Sequence, residues 1–257
     1  MIEIKNLRKE FELSKQQRKE LNTSDSIAVA VDGISLNCQP GRVFSLLGPN
    51  GAGKTTTLRM ISTIFKPTSG EITIAGVDAI KHPREARKKI GFLTGSTGLY
   101  ARLTPNELIQ YFANLYNVSK KDFEERKDYL YTLLDMHDFQ GKRIGKLSTG
   151  MKQKVSICRT MIHDPEVVVF DEPTSGLDVI TAENIIELIR SCKNDGKTVI
   201  FSSHIMSEVD LLCDDLAIIH KGKMLYNGEM STFKKEMQSD NLTEEFIRIV
   251  KSNSMQS

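Results

Sequence analysis

The chain has 257 residues, 39% of them hydrophobic and 26% charged, with a formal net charge of +2. Such a chain is ordinary for a soluble globular protein and can bury a sizeable core, as one large domain or two small ones. The near-neutral balance excludes a nucleic-acid binder that works through a strong positive field. The absence of any apolar run near the roughly 20 residues of a membrane helix means that a membrane role would require a partner.

From the N-terminus, residues 1–7 alternate apolar and polar like a strand, with no signal peptide, and residues 29–38 read as a second strand. Residues 12–26 between them are polar, an exposed hairpin loop or a short helical excursion. Residues 43–47 (VFSLL) form a short apolar run, read as a buried strand.

Directly after it comes Gly48-Pro49-Asn50-Gly51-Ala52-Gly53-Lys54-Thr55-Thr56, which fits the phosphate-binding pattern G-x-x-x-x-G-K-[ST]. Its glycines let the backbone curl so that successive N–H groups face phosphate oxygens. Lys54 brings a mobile positive charge to the β- and γ-phosphates, and the Thr55 hydroxyl is placed to ligate Mg²⁺. Leu58, Ile61 and Ile64/Phe65 follow at helical spacing, with Pro67 expected to stop the helix. Strand, glycine loop and helix in that order aim a helix N-terminus at an anion.

Residues 70–76 read as a short strand, 84–89 as a basic helical turn and 90–93 as another strand. From Pro105 to Phe139 the pattern is helical. Leu108, Tyr111, Phe112 and Leu115 are expected on one apolar face, and Tyr129, Leu130, Leu133 and Leu134 on a second. This block interrupts the strand–helix alternation and reads as a helical subdomain inserted in an α/β core.

Alternation then resumes. Residues 167–170 (VVVF) read as a strand buried on both faces, ending at Asp171-Glu172. Two carboxylates at the carboxyl end of a core strand stand where ligands sit in open α/β sheets. Asp171 would hold Mg²⁺, directly or through water, and Glu172 would polarise the water that attacks the γ-phosphate. Further strands are read at 198–201 and 216–220 with a returning strand at 223–226. Helices are read at 182–191 and 207–213, and one or two more after residue 231, with Phe246, Ile247 and Val250 on a face. Cys38, Cys158, Cys192 and Cys213 lie far apart without a C-x-x-C and read as buried thiols of a reducing cytosol.

Three other stretches have bland local readings. Ser148 or Thr149, in Leu147–Gln153 (LSTGMKQ), reads as a helix N-cap. Ser175-Gly176-Leu177-Asp178 follows the carboxylate pair, and His204 follows the strand ending Phe201-Ser202-Ser203. With the phosphate loop and Asp171-Glu172, however, these stretches resemble the ATP-binding cassette (ABC) ATPases over about residues 2–230.

The resemblance implies a P-loop NTPase α/β core with a small N-terminal antiparallel β subdomain and a helical subdomain at about 97–162. Residues 231–257 would be a C-terminal helical extension and tail. It further implies ATP hydrolysis with Mg²⁺ by two copies paired head to tail, powering a separate membrane permease from the cytoplasmic face. Ser148 and Gly150 would meet the γ-phosphate held by the partner copy, Asp178 would lie at the dimer contact, and His204 would touch the γ-phosphate. Phe11 falls where the family sets an aromatic ring against adenine, although a core role fits it equally.

The chain departs from the family in two places. Thr149 and Met151 stand where Gly and Gln are usual, and Thr94-Gly95-Ser96-Thr97 occupies a loop that usually carries a Gln. Residues 95–100, 147–154 and 201–209 together look like the sodium-extrusion, Nat-type branch of the family. Since the cassette itself does not choose the cargo, another exported substrate (drug, peptide or lipid) is the alternative. A cassette acting on nucleic acid or ribosomes fits less well, because there is one phosphate loop and little net charge.

Overall fold

The computed structural model describes residues 1–20, 22–94 and 98–254. Two sheets share the chain. Strands β1 (Ile2–Glu12), β2 (Ile27–Cys38), β4 (Ser69–Ile74) and β5 (Val77–Asp78) form an antiparallel sheet in the order β2-β1-β4-β5. Strands β3 (Val43–Leu47), β6 (Ile90–Thr94), β7 (Val167–Asp171), β8 (Thr198–Ser203), β9 (Asp215–His220) and β10 (Lys223–Glu229) form the core sheet, ordered β10-β9-β3-β8-β7-β6. All its pairs are parallel except β10 with β9.

The helices are α1 (Lys15–Glu20), α2 (Lys54–Ile61), α3 (Pro83–Lys88), α4 (Pro105–Leu115), α5 (Lys120–Leu133), α6 (Thr149–Met161), α7 (Val179–Asn194), α8 (Met206–Leu212), α9 (Met230–Glu236) and α10 (Leu242–Ser254). The expected excursion at 12–26 therefore holds a short helix on the β1–β2 hairpin, with none of the residues of α1 buried. Its base is closed by the Leu13 N–H donating to Ser26 O at 2.8 Å.

The core strands are buried on both faces, and their alternation divides the interior in two. Val43 and Leu47 of β3, Val168 and Phe170 of β7, and Val199 and Phe201 of β8 pack with the helical block and C-terminal helices. Phe44, Leu46, Val167, Val169 and Ile200 point the other way, into a cluster shared with the antiparallel sheet, α2 and α3. That parity matters at the strand ends. Asp171 and Ser202 continue the second face, and they are registered partners, with Thr94 opposite Asp171 and Leu46 opposite Ser202.

The structure corrects several expectations about faces and ends. Helix α2 stops at Ile61, well before Pro67. Thr63 takes a left-handed φ of 58°, and Ile64 N–H turns back to Arg59 O at 2.9 Å, so the chain ends the helix without a glycine. In α4 the buried residues include Leu108, Ile109 and Ala113, while Tyr111 and Leu115 are exposed. Tyr131, not Tyr129, enters the core from α5. In α10, Leu242, Phe246 and Ile249 face inward and Ile247 faces out. The slips of face have one cause: apolar residues outnumber the places on the inner face, and spacing alone does not choose among them.

Candidate active site

The phosphate loop is wedged between the two sheets. A Cβ on Gly48 would lie 2.3 Å from Ile219 O of the core sheet, and one on Gly53 would lie 2.5 Å from Ala30 O of the antiparallel sheet. Gly53 also has φ 106° as the residue before α2, a conformation side chains disfavour. The Gly222 N–H donates to Ala52 O at 2.9 Å, so the β9–β10 turn braces the loop from outside.

Lys54 opens α2 and is buried. Its Nζ donates to Gly48 O at 2.6 Å and Pro49 O at 3.3 Å, and stands 3.8 Å from Glu172 Oε1. Burial lowers its pKa, while Glu172 and Asp171 oppose that shift. Thr55 Oγ1 donates to Asp171 Oδ1 at 3.0 Å. Mg²⁺ favours one or two protein oxygens together with waters and phosphate oxygens, and this adjacent hydroxyl and carboxylate fit it. Among the described residues there is no cluster of three or more His, Cys, Asp or Glu that would make a protein-only metal cage.

Glu172 follows β7 with φ 49°, a strained conformation for a non-glycine residue that turns its side chain out of the strand. Its Oε1 meets His204 Nδ1 at 3.3 Å. His204 is set in turn by the end of β8. There Ser203 Oγ accepts from Ile205 N at 3.0 Å and donates to Glu208 Oε2 at 3.1 Å. The structure thus brings Thr55, Asp171, Glu172 and His204 to one sheet edge. Thr55, Asp171 and Glu172 line a cleft of about 490 Å³ together with Asn50 and Arg59.

Ser148 and Gly150 stand apart from that group, at the start of α6. Ser148 is the N-cap, accepting from Met151 N at 3.2 Å, as the local reading expected. A Cβ on Gly150 would lie 3.1 Å from Thr181 Oγ1 and 3.3 Å from Asp178 Oδ2, so a side chain there would press on the start of α7. Asp178 caps α7 through the Thr181 N–H at 2.9 Å and hydroxyl at 2.8 Å, and these bonds hold its pKa down. Val179 and Ile180, the next two residues, are 85% and 73% exposed. Phe11 lies on β1, edge-on to Phe65 at 5.7 Å and beneath Lys9 Nζ at 5.0 Å. Gly95, Ser96 and Thr97, where the usual Gln is absent, lie outside the described residues.

Sequence reasoning missed Ser202. Its hydroxyl is fully buried, donates to Asp171 Oδ1 at 2.8 Å and accepts from Glu172 N–H at 3.1 Å. The one signal available was a polar residue at the inward parity of an apolar strand. Gln153, named only as the end of the Leu147–Gln153 stretch, has a role of its own: its Nε2 donates to Pro173 O at 3.1 Å, tying α6 to the segment after Glu172.

Among the described residues no helix is long and apolar enough to cross a membrane. A family profile described as "ABC transporter" matches residues 31–175. The chain is 42% identical over 222 residues to the ABC transporter ATP-binding protein NatA of Bacillus subtilis (strain 168), covering 86% of this chain and 90% of that protein. It is 39% identical over 207 residues to the bacitracin transport ATP-binding protein BcrA of Bacillus licheniformis, covering 80% of this chain and 67% of that protein. Among solved structures, an ATP-binding subunit of an ABC transporter superposes with a TM-score of 0.84 at 25% identity, covering 97% of this chain and 99% of that one. A dimeric post-hydrolysis cassette bound to ADP and Pi superposes with a TM-score of 0.77 at 25% identity, covering 90% and 99%.

Proposed function

This chain is an ATPase cassette of the ABC transporter family, and we propose that it drives Na⁺ export through a separate membrane permease, working as a head-to-tail dimer at the cytoplasmic face of the cell membrane. In this reading residues 2–230 are the cassette, about 97–162 its helical subdomain, and 231–257 an extension. The observation that carries the hydrolytic part is the group Thr55–Asp171–Glu172–His204, joined by contacts of 3.0 and 3.3 Å at one edge of the core sheet.

ATP would lie across residues 48–56, with backbone N–H groups and the start of α2 directed at its phosphates. Lys54 would exchange its two loop carbonyls for β- and γ-phosphate oxygens, a stronger charge-assisted pairing. Thr55 and Asp171 would hold Mg²⁺, which neutralises charge on the phosphates. The Glu172 carboxylate would take the proton of the attacking water, and His204 would hold Glu172 and the γ-phosphate in line. Phe11 would flank adenine.

Two features support the dimer. Two solved cassette structures that superpose on this chain are described as dimeric, and Val179 and Ile180 next to Asp178 leave apolar surface open beside Ser148 and Gly150. Ser148 and Gly150 of one copy would then complete the γ-phosphate site of the other. For the permease, exposed Tyr100, Tyr111, Leu115 and Ile64 give the helical block and the end of α2 an apolar surface to dock. Nearby, Arg159 lies over the Phe112 ring at 5.3 Å in a groove of about 220 Å³.

Sodium rests on the resemblance over residues 95–100, 147–154 and 201–209, supported by the 42% identity to NatA. A larger organic cargo is the second reading, favoured by relatives named for bacitracin transport at 39% identity and linearmycin resistance at 34%. The test is Na⁺ uptake on adding Mg·ATP to inside-out vesicles that contain this protein with its co-purifying membrane partner. Uptake that survives a protonophore and disappears with Glu172→Gln supports sodium export. Steady ATP hydrolysis without Na⁺ movement removes sodium and keeps the transport ATPase.

A further inference from the structure

The end of β8 contributes more than His204. Register places Ser202 directly beside Asp171, and strand parity turns both side chains to the face that α2 covers. The Ser202 hydroxyl is fully buried and used on both sides. It donates to Asp171 Oδ1 at 2.8 Å and accepts the Glu172 N–H at 3.1 Å. The same carboxylate oxygen accepts from Thr55 Oγ1 at 3.0 Å, so Asp171 Oδ1 lies between two hydroxyls.

From this we propose that Ser202 is a positioning residue for the metal-side carboxylate: its hydroxyl fixes the rotation of Asp171 toward Thr55, and thereby sets how tightly Mg²⁺ is held with the nucleotide. This rests on the ATPase reading of the site. A carboxylate that shares a cation with a hydroxyl and phosphate oxygens is effective only if its lone pairs are aimed. Hydrogen bonds to metal-binding carboxylates do that aiming, and losing one typically costs about 10- to 100-fold in metal affinity or activity. Thr55 cannot serve alone, because its hydroxyl is itself the other oxygen of the site.

The second bond of Ser202 is less critical. Glu172 N–H also reaches Ser202 O at 3.2 Å, and that backbone carbonyl survives any substitution. Removing the hydroxyl therefore leaves the strained turn at Glu172 with an acceptor while depriving Asp171 of a donor. The effect of Ser202→Ala is accordingly expected on the metal side of the site, with little change in fold.

The experiment titrates purified protein with a fluorescent ATP analogue, first in EDTA and then at increasing Mg²⁺. For Ser202→Ala the Mg²⁺ concentration that half-saturates the tightening should rise about 10- to 100-fold. Affinity in EDTA should stay within about twofold, and Ser202→Thr, which keeps the hydroxyl, should remain close to the parent protein. Unchanged Mg²⁺ dependence in Ser202→Ala overturns the proposal. So does equal weakening with and without Mg²⁺, which marks a role in the scaffold only. Should Ser202→Ala fail to fold, Ser202→Cys is titrated in the same way: its weaker donor should raise the Mg²⁺ requirement, and an unchanged requirement overturns the proposal. A parent protein that bound no nucleotide would overturn the ATPase reading instead, so the two failures are distinct.

Discussion

His204 Nδ1 stands 3.3 Å from Oε1 of Glu172, the same oxygen that Lys54 Nζ approaches to 3.8 Å from the phosphate loop. One carboxylate oxygen thus sits between the residue after β8 and the first residue of α2. Replacing Glu172 with Gln keeps the shape and a hydrogen bond but removes the proton acceptor. ATP hydrolysis should fall about 10²- to 10⁴-fold while ATP binding persists. Steady-state phosphate release and size-exclusion chromatography with ATP check this: the variant should accumulate as a dimer. Hydrolysis at the parental rate would remove Glu172 from the mechanism.

Gly48→Ala tests the wedge at the phosphate loop. The added Cβ meets backbone, Ile219 O at 2.3 Å, so the loop must move rather than a side chain. ATP affinity should drop at least tenfold, and equilibrium unfolding should show a loss on the order of 1–3 kcal/mol. Isothermal titration and urea melts provide the two readouts. Full affinity in this variant would show that the contact yields without cost.

Val179 and Ile180 have little to lose from a polar replacement within one chain, since they are 85% and 73% exposed. The double substitution Val179→Asp, Ile180→Asp should leave thermal stability within about 0.5 kcal/mol, as surface changes usually do. It should nevertheless abolish the ATP-dependent dimer expected of Glu172→Gln. Light scattering on the combined variant decides the matter. A dimer that still forms would move the contact surface elsewhere.

His163 makes stability depend on pH. Its ring stacks on Tyr116 at 3.8 Å and its Nε2 faces Ile90 O at 3.2 Å. Burial, aided by Arg126 and Lys197 against the pull of Ile90 O and Asp164, lowers its pKa from 6.5 to about 4. A base whose folded pKa is lowered gives stability that is complete above the unfolded value and lost as pH falls toward the folded one. Between pH 7 and 4.5 the parent protein should lose about 2 kcal/mol more than His163→Phe, which keeps the stacked ring. Urea melts at the two pH values measure the difference; equal losses would mean that His163 does not titrate in this window.

The local motifs were legible in the chain because each is a short run with a distinctive backbone demand. The strand and loop at 43–53, the carboxylates after residues 167–170 and the cap at Ser148 fall where the pattern put them, while the helix that follows the loop ends at Ile61 and not near Pro67. What the pattern left out depends on contacts between distant segments. Ser202 gains its meaning only from lying beside Asp171, 31 residues away. The inward choice of Ile109 and Ala113 over Tyr111 and Leu115 is likewise made by the elements packed against α4, not by spacing along it.

The hairpin between β1 and β2 has a practical consequence. One hydrogen bond, Leu13 N to Ser26 O, closes its base, and α1 beyond it buries none of its residues. The sheet register is therefore settled before the chain leaves it and resumes as soon as the chain returns. That tip can be lengthened, shortened or fused to a reporter without disturbing either strand. It offers a handle for testing whether two cassettes come together on adding ATP.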